Sequence, residues 1–154
     1  MNINKYTIKS QEALQSALEL ARRQGQQALE PAHLLKSLLE LGDSLVDFLL
    51  AKLSVSRPRL EEATDKLIAA LPKVSGGDPY LSSEANKVLD KAEDIASDMK
   101  DEYVALEHLF LALVEVDSPV ARLLKSDLGV QTKELRLAIK ELRKGGRVTS
   151  QHAV

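Results

Sequence analysis

The chain has 154 residues, 44 % of them hydrophobic and 29 % charged, which is enough apolar material for one well-filled core and too much for a disordered polymer. A formal net charge of −2, without a basic stripe carrying interleaved aromatics, argues against a nucleic-acid partner. The absence of cysteine excludes disulfides and thiolate metal sites and suits a reducing cytoplasm.

Near the start, Thr7 is placed to cap a first helix whose apolar stripe is Leu14, Ala17, Leu18 and Ala21, with Gly25 as its stop. Pro31 suits the first position of a second helix, where a missing N–H costs nothing. Leu34, Leu35, Leu38, Leu39 and Leu41 make that helix apolar around most of its circumference, so it is expected to be central and buried. Gly42-Asp43-Ser44 opens a third helix running to about Leu53. A fourth begins near Ser56, with Val55 and Leu60 at hydrophobic-staple spacing. The segment from Pro72 to Pro79 is turn-rich and reads as a linker between residues 1–71 and 80–144.

The second half repeats the pattern. Ala85, Val88, Leu89, Ala92, Ile95, Ala96 and Met99 give a fifth helix from about Ser82 to Met99 a clean buried stripe. Leu106, Leu109, Phe110, Leu111, Leu113, Val114 and Val116 form a sixth, again apolar almost all round. Asp117-Ser118-Pro119 opens a seventh that runs to about Leu128, and an eighth begins near Gln131. An offset of 75 residues aligns His33 with His108 and, without a gap, Leu14 with Leu89, Ala17 with Ala92, Leu34 with Leu109, Leu49 with Leu124 and Leu60 with Leu135. The expectation is an all-α chain of two pseudo-symmetric four-helix repeats in one eight-helix domain over residues 1–144. Residues 145–154 have no apolar pattern and are expected to be a flexible tether to a further part of a longer polypeptide.

Catalytic chemistry finds little footing. Gly76-Gly77-Asp78 lacks the Lys-Ser or Lys-Thr of a phosphate-cradling loop. The start Met1-Asn2-Ile3-Asn4-Lys5-Tyr6 lacks the apolar region of a secretory leader, and no apolar run approaches the roughly 18 to 20 residues that span a bilayer, so a cytoplasmic, membrane-free domain is expected. Glu30-Pro31-Ala32-His33 has the Glu-x-x-His spacing that ferritin-like bundles use for metals, but Ala105-Leu106-Glu107-His108 lacks the matching carboxylate, so no metal is expected. Glu93, Asp94, Asp98, Asp101 and Glu102 read as a solvated face of the fifth helix. Ala105 is a poor cap, so the free N–H groups there need another partner.

The doubled unit, with Glu30-Pro31-Ala32-His33-Leu34-Leu35, Glu107-His108-Leu109 and the closing Gly145-Gly146-Arg147-Val148-Thr149-Ser150-Gln151, resembles the N-terminal domains of the Clp family, most narrowly those of ClpB-type AAA+ disaggregases. The resemblance implies a non-enzymatic module ahead of two ATPase rings. It would capture exposed hydrophobic segments of unfolded or aggregated proteins for delivery to those rings. ATP would belong to the rings, leaving no cofactor in this chain, and the full-length protein would work with a DnaK-type chaperone system. The alternative is the adaptor or degron docking domain of a ClpA- or ClpC-type unfoldase.

Carried over by resemblance, substrate engagement falls on Thr7, Leu89, Asp101, Glu107 and the position of His108. In ClpC-type domains a Thr-Glu-His opening holds phosphorylated arginine through the Glu. Pro31-Ala32-His33 lacks it, which disfavours that ligand here. The expected geometry is a shallow apolar groove between the first, fifth and sixth helices, lined by Leu89, Tyr103 and Val104 and rimmed by Asp101 and Glu107.

Overall fold

A computed structural model of the chain describes residues 1–74, 76–144 and 146–153. Ser75, Gly145 and Val154, which fall in the linker and tether read from the sequence, lie outside the described residues. The helices are α1 (Ile8–Arg23), α2 (Pro31–Leu41), α3 (Asp43–Lys52), α4 (Arg57–Ala69), α5 (Ser83–Asp98), α6 (Leu106–Glu115), α7 (Pro119–Arg122) and α8 (Thr132–Arg143). α7 runs on into a π turn over Leu123–Asp127, and the two together correspond to α3 in the other half.

Local chemistry sets most of these boundaries. Thr7 Oγ1 accepts the Ser10 N–H at 3.1 Å, and Ser82 Oγ accepts the Ala85 N–H at 3.0 Å. These two caps are partners at the repeat offset, each satisfying one of the orphan donors of a helix start. Pro31 occupies the first turn of α2 as expected. Gly25 closes α1 in the left-handed region at φ +68, and Lys100 takes the same conformation after α5 at φ +61. Gly42 sits where a Cβ would lie 1.9 Å from Val46 Cγ2 and 2.5 Å from the Leu38 carbonyl oxygen, so only glycine lets α3 fold this tightly against the end of α2.

The core lies around α2 and α6. Every residue from Leu106 to Val114 is buried, and so are Leu34, Leu35, Leu38 and Leu39 of α2. Each fully buried leucine contributes about 1.5 to 3 kcal/mol, and α1 and α5 cover this layer with Ala13, Ala17, Ala85 and Ala92, whose small side chains let the helices approach closely.

The halves are joined by a reciprocal exchange that periodicity could not reveal. β1 (Ala28–Leu29), just before α2, pairs in parallel with β2 (Tyr80–Leu81), just before α5, with Leu29 opposite Leu81. At the repeat offset, Val104 before α6 pairs in parallel with Tyr6 before α1. The hydrogen bonds repeat as well, with Ser82 N–H donating to Leu29 O and Thr7 N–H to Val104 O, both at 3.0 Å. Each half therefore completes the other's helix starts, which ties the two repeats into one unit.

Residues 146–153, expected to be part of a free tether, fold back across both halves. Glu102 N–H donates to Val148 O at 2.7 Å, Ile8 N–H to Gln151 O at 2.6 Å, and the Val148 side chain is buried. The absence of an apolar pattern concealed this because the segment is held chiefly through backbone groups.

Candidate functional site

Four of the residues singled out from the sequence serve the packed interior or its seams. Leu89 is 1 % exposed and Val104 2 %, Thr7 is consumed as the α1 cap, and His108 is fully buried. Tyr103 is half-buried. The expected groove lined by Leu89, Tyr103 and Val104 is therefore not open. The parallel bridge between Tyr6 and Val104 draws the loop before α6 onto the start of α1 and fills that space, and the Tyr6 hydroxyl donates to Glu93 Oε2 at 2.7 Å. Burial, then Glu93, hold the Tyr6 phenol far above its usual range.

Asp101 and Glu107 were expected on a solvated rim but are buried, and they meet around Arg143. Arg143 donates through Nε to Glu107 Oε2 at 3.0 Å, and its guanidinium also pairs with Asp101 Oδ2. Asp101 Oδ1 accepts the Val148 N–H at 2.9 Å. Burial works against the Asp101 charge, but the Val148 amide, Arg143 and His108 outweigh it and hold the carboxyl below its usual range. Glu107 Oε1 is buried without a hydrogen-bond partner among the described residues.

His108 answers the question of the missing cap. Its Nδ1 accepts the Ala105 N–H at 2.8 Å, which leaves the proton on Nε2 to be donated to Asp101 Oδ2 at 2.7 Å. Burial, first among its causes, keeps this imidazole neutral by lowering its pKa. His33 does the same in the first half, with Nδ1 accepting the Glu30 N–H at 2.9 Å and Nε2 2.7 Å from Gln26 Oε1. Desolvation lowers its pKa to about 4.

The repeat offset shows how the halves differ at this network. Gln26, Ala32 and Ile68 stand where the second half has Asp101, Glu107 and Arg143. Gln26 Nε2 donates to the Ile68 carbonyl at 2.6 Å, so a neutral network fills the place of a buried ion cluster.

An open apolar groove does exist, on the other side of α1. Ile8, Leu14 and Leu18 form one wall, Leu29, Pro79, Tyr80 and Leu81 the other, and Met1 and Ile3 one end, around about 550 Å³. Met1 is 63 % exposed and Tyr80 57 %, and Ile3 and Ile8 are exposed as well. The corresponding positions on α5 are Ser83 for Ile8, Asp90 for Gln15 and Glu93 for Leu18, so the same surface in the second half is polar. That contrast was the available signal for the groove, and it lay in where the copies disagree.

A second cleft, of about 490 Å³, lies between α3 and α8, lined by Leu45, Phe48, Glu107, Leu142, Arg143 and Val148. Among the described residues no group of three or more His, Asp or Glu side chains could hold a metal, and no helix is long and apolar enough to cross a membrane.

A family model for the Clp repeat N-terminal domain matches residues 5–127. The chain belongs to the Clp N-terminal domain family. This Clp N domain is 58 % identical over 153 residues to the chaperone protein ClpB of Porphyromonas gingivalis, covering 99 % of the chain but only 18 % of that protein. Its fold matches the Hsp104 N-terminal domain from Candida albicans with a TM-score of 0.83 at 25 % identity, over 96 % of this chain and 97 % of the other. It also matches the ClpV N-domain solved in complex with a VipB peptide, with a TM-score of 0.74 at 20 % identity, over 90 % and 86 % of the two chains. The likeness to ClpB supports a ClpB-type chaperone N domain, all-α and built from two repeats.

Proposed function

We propose that this Clp N domain captures exposed apolar segments of unfolded or aggregated proteins, and that the groove of Ile8, Leu18, Tyr80 and Leu81 is where it does so. The observation that carries the reading is the concentration of Met1, Ile3, Ile8 and Tyr80 on a single furrow, where a folded domain leaves large side chains in water for no structural gain. The ClpV N-domain, which shares the fold, has been solved with a VipB peptide bound, so this architecture can seat a peptide.

Burying apolar surface contributes about 25 cal/mol per Å², and ordering an unfolded segment opposes it, so capture is weak and tolerant of sequence. Weak capture suits handover. The clients pass to AAA+ rings on the same polypeptide, with a DnaK-type system as further partner of the full-length protein. Glu107 lines the cleft beside Phe48 and Leu142 but is buried and paired with Arg143, so it shapes that cleft rather than contacting a client. In this reading Asp101 and His108 hold Glu107 and Arg143 in place, while Thr7, Leu89 and Val104 support the groove walls from within.

The test is a titration of isotope-labelled domain with a reduced and alkylated, permanently unfolded protein, followed by backbone amide shifts. Shifts are expected at Ile8, Leu18 and Tyr80, and the double variant Ile8→Ser/Tyr80→Ser should weaken binding at least fivefold. No shifts along this furrow at saturating client would remove the proposal.

A further inference from the structure

The end of the molecule formed by the C-termini of α5 and α8 carries a cleft of about 350 Å³, separate from the apolar groove. Lys100, Arg136, Lys140, Arg143 and Arg147 line it, against the one carboxylate of Asp98. Arg143 is committed to Asp101 and Glu107, and Arg136 pairs with Glu115 at 2.7 Å. Lys100, Lys140 and Arg147 are exposed and take part in no ion pair among the described residues. On a chain of net charge −2, this is a local field of the opposite sign.

The repeat supplies an internal control. In the first half the corresponding positions are Gly25 for Lys100, Glu61 for Arg136, Asp65 for Lys140, Pro72 for Arg147 and Arg23 for Asp98. The same backbone arrangement thus carries two acids where the second half carries two bases, so the fold itself does not require cations here. Lys100 strengthens the point. It holds the left-handed conformation at φ +61 that its counterpart Gly25 adopts without strain at φ +68.

We propose that this cleft docks an acidic polypeptide segment, with Lys100, Lys140 and Arg147 pairing to its aspartates or glutamates. The site is independent of the apolar groove. It adds recognition of acidic stretches to recognition of apolar ones, and because its cations are exposed the contact is screened by salt.

The probe is a fluorescein-labelled twelve-residue Glu/Ser peptide, with a Gln/Ser peptide as neutral control, followed by anisotropy on the whole chain at 25 and 200 mM salt. The expected result is saturable binding of the Glu peptide at low salt, at least fivefold weaker binding at high salt, and no binding of the Gln peptide over the same range. Lys140→Gln/Arg147→Gln should weaken binding at least tenfold. Lys100→Gly should weaken it severalfold while leaving Tm equal or higher, a combination that a purely structural role for Lys100 does not produce. Tyr80→Ser should leave it unchanged, which separates this site from the client groove.

The inference is overturned if the Glu peptide fails to bind at low salt, if the double variant binds it as well as the parent, or if Tyr80→Ser abolishes binding. It is also overturned if a single-stranded oligonucleotide or polyphosphate binds in a manner sensitive to Lys140 and Arg147 while the Glu peptide does not. That outcome would assign the cleft to a phosphate-bearing partner.

Discussion

Replacing Arg143 with isoleucine tests whether the buried charges of the second half hold one another in place. Arg143 lies largely inside, and its loss leaves Asp101 with the Val148 amide and His108, but leaves Glu107 with nothing, since Oε1 already lacks a partner and Oε2 relies on Arg143. Removing one member of a buried pair costs about 3 to 5 kcal/mol, a large share of the roughly 5 to 15 kcal/mol by which domains are stable. The first half shows how to repair the damage. The triple variant Asp101→Gln/Glu107→Ala/Arg143→Ile copies Gln26, Ala32 and Ile68, where Gln26 already bridges His33 and the Ile68 carbonyl at 2.7 and 2.6 Å. Well-packed neutral replacements of buried ion pairs are often neutral or stabilising, so the triple variant should fall within about 1 kcal/mol of the parent or above it. The assay is urea unfolding at pH 7 by circular dichroism, with unchanged m-values as the check on two-state behaviour. A loss below about 1 kcal/mol in the single variant, or a triple variant no more stable than the single one, would refute the reasoning.

Acid should destabilise the domain in two windows. The His33 imidazole is held down to about 4 by desolvation, so the unfolded chain binds its proton first as pH falls below about 6.5, and stability drops by about 3 kcal/mol by pH 4. Asp101, held below its usual range despite burial by the Val148 amide, Arg143 and His108, contributes stability that is present above pH 3.8 and is lost as pH falls through its lower folded value. Urea midpoints from pH 3 to 8 should show both, and His33→Gln should make the upper window shallower without removing it, because the buried His108, also held below its usual range, still contributes there. Gly42→Ala should cost about 1 to 3 kcal/mol in the same assay, because the new Cβ would lie 1.9 Å from Val46 Cγ2 and 2.5 Å from the Leu38 carbonyl.

Periodicity and capping chemistry made the helices legible. Thr7, Ser56, Ser82 and Pro31 stand where their side-chain chemistry places helix starts, and the 75-residue register foretold two like halves. The exchange of Leu29 with Leu81 and of Tyr6 with Val104 was not legible, because strands of two residues leave no alternation to detect. Asp101 and Glu107 were misplaced on the surface for a related reason. Their sequence neighbours, Asp98 and Glu102 among them, are exposed acids, and only the arrival of Arg143 from α8 and of Val148 from the tail makes burial tolerable. The groove expected between α1, α5 and α6 is filled, and the open one lies between α1 and the β1–β2 pair, because residues shared by the repeats, such as Leu89, pack inside. Agreement marks packing: Leu14 with Leu89 and Ala17 with Ala92 are interior pairs.

The positions where the repeats disagree follow a different logic. Ile8 opposite Ser83, Leu18 opposite Glu93, Lys140 opposite Asp65 and Arg136 opposite Glu61 all lie on or near the surface, on helices whose buried stripes match. Since one backbone accepts both members of each pair, neither member is demanded by folding. What these residues do must then be decided at the surface, by what they touch there. The result is a repeated scaffold with an unrepeated exterior, bearing an oily furrow along α1 and a cationic cleft at the far end of α5, on a frame whose halves are joined by the parallel bridges. Both features lie where the halves differ, while the positions at which the halves agree, Leu14 with Leu89 and Ala17 with Ala92 among them, fill the interior.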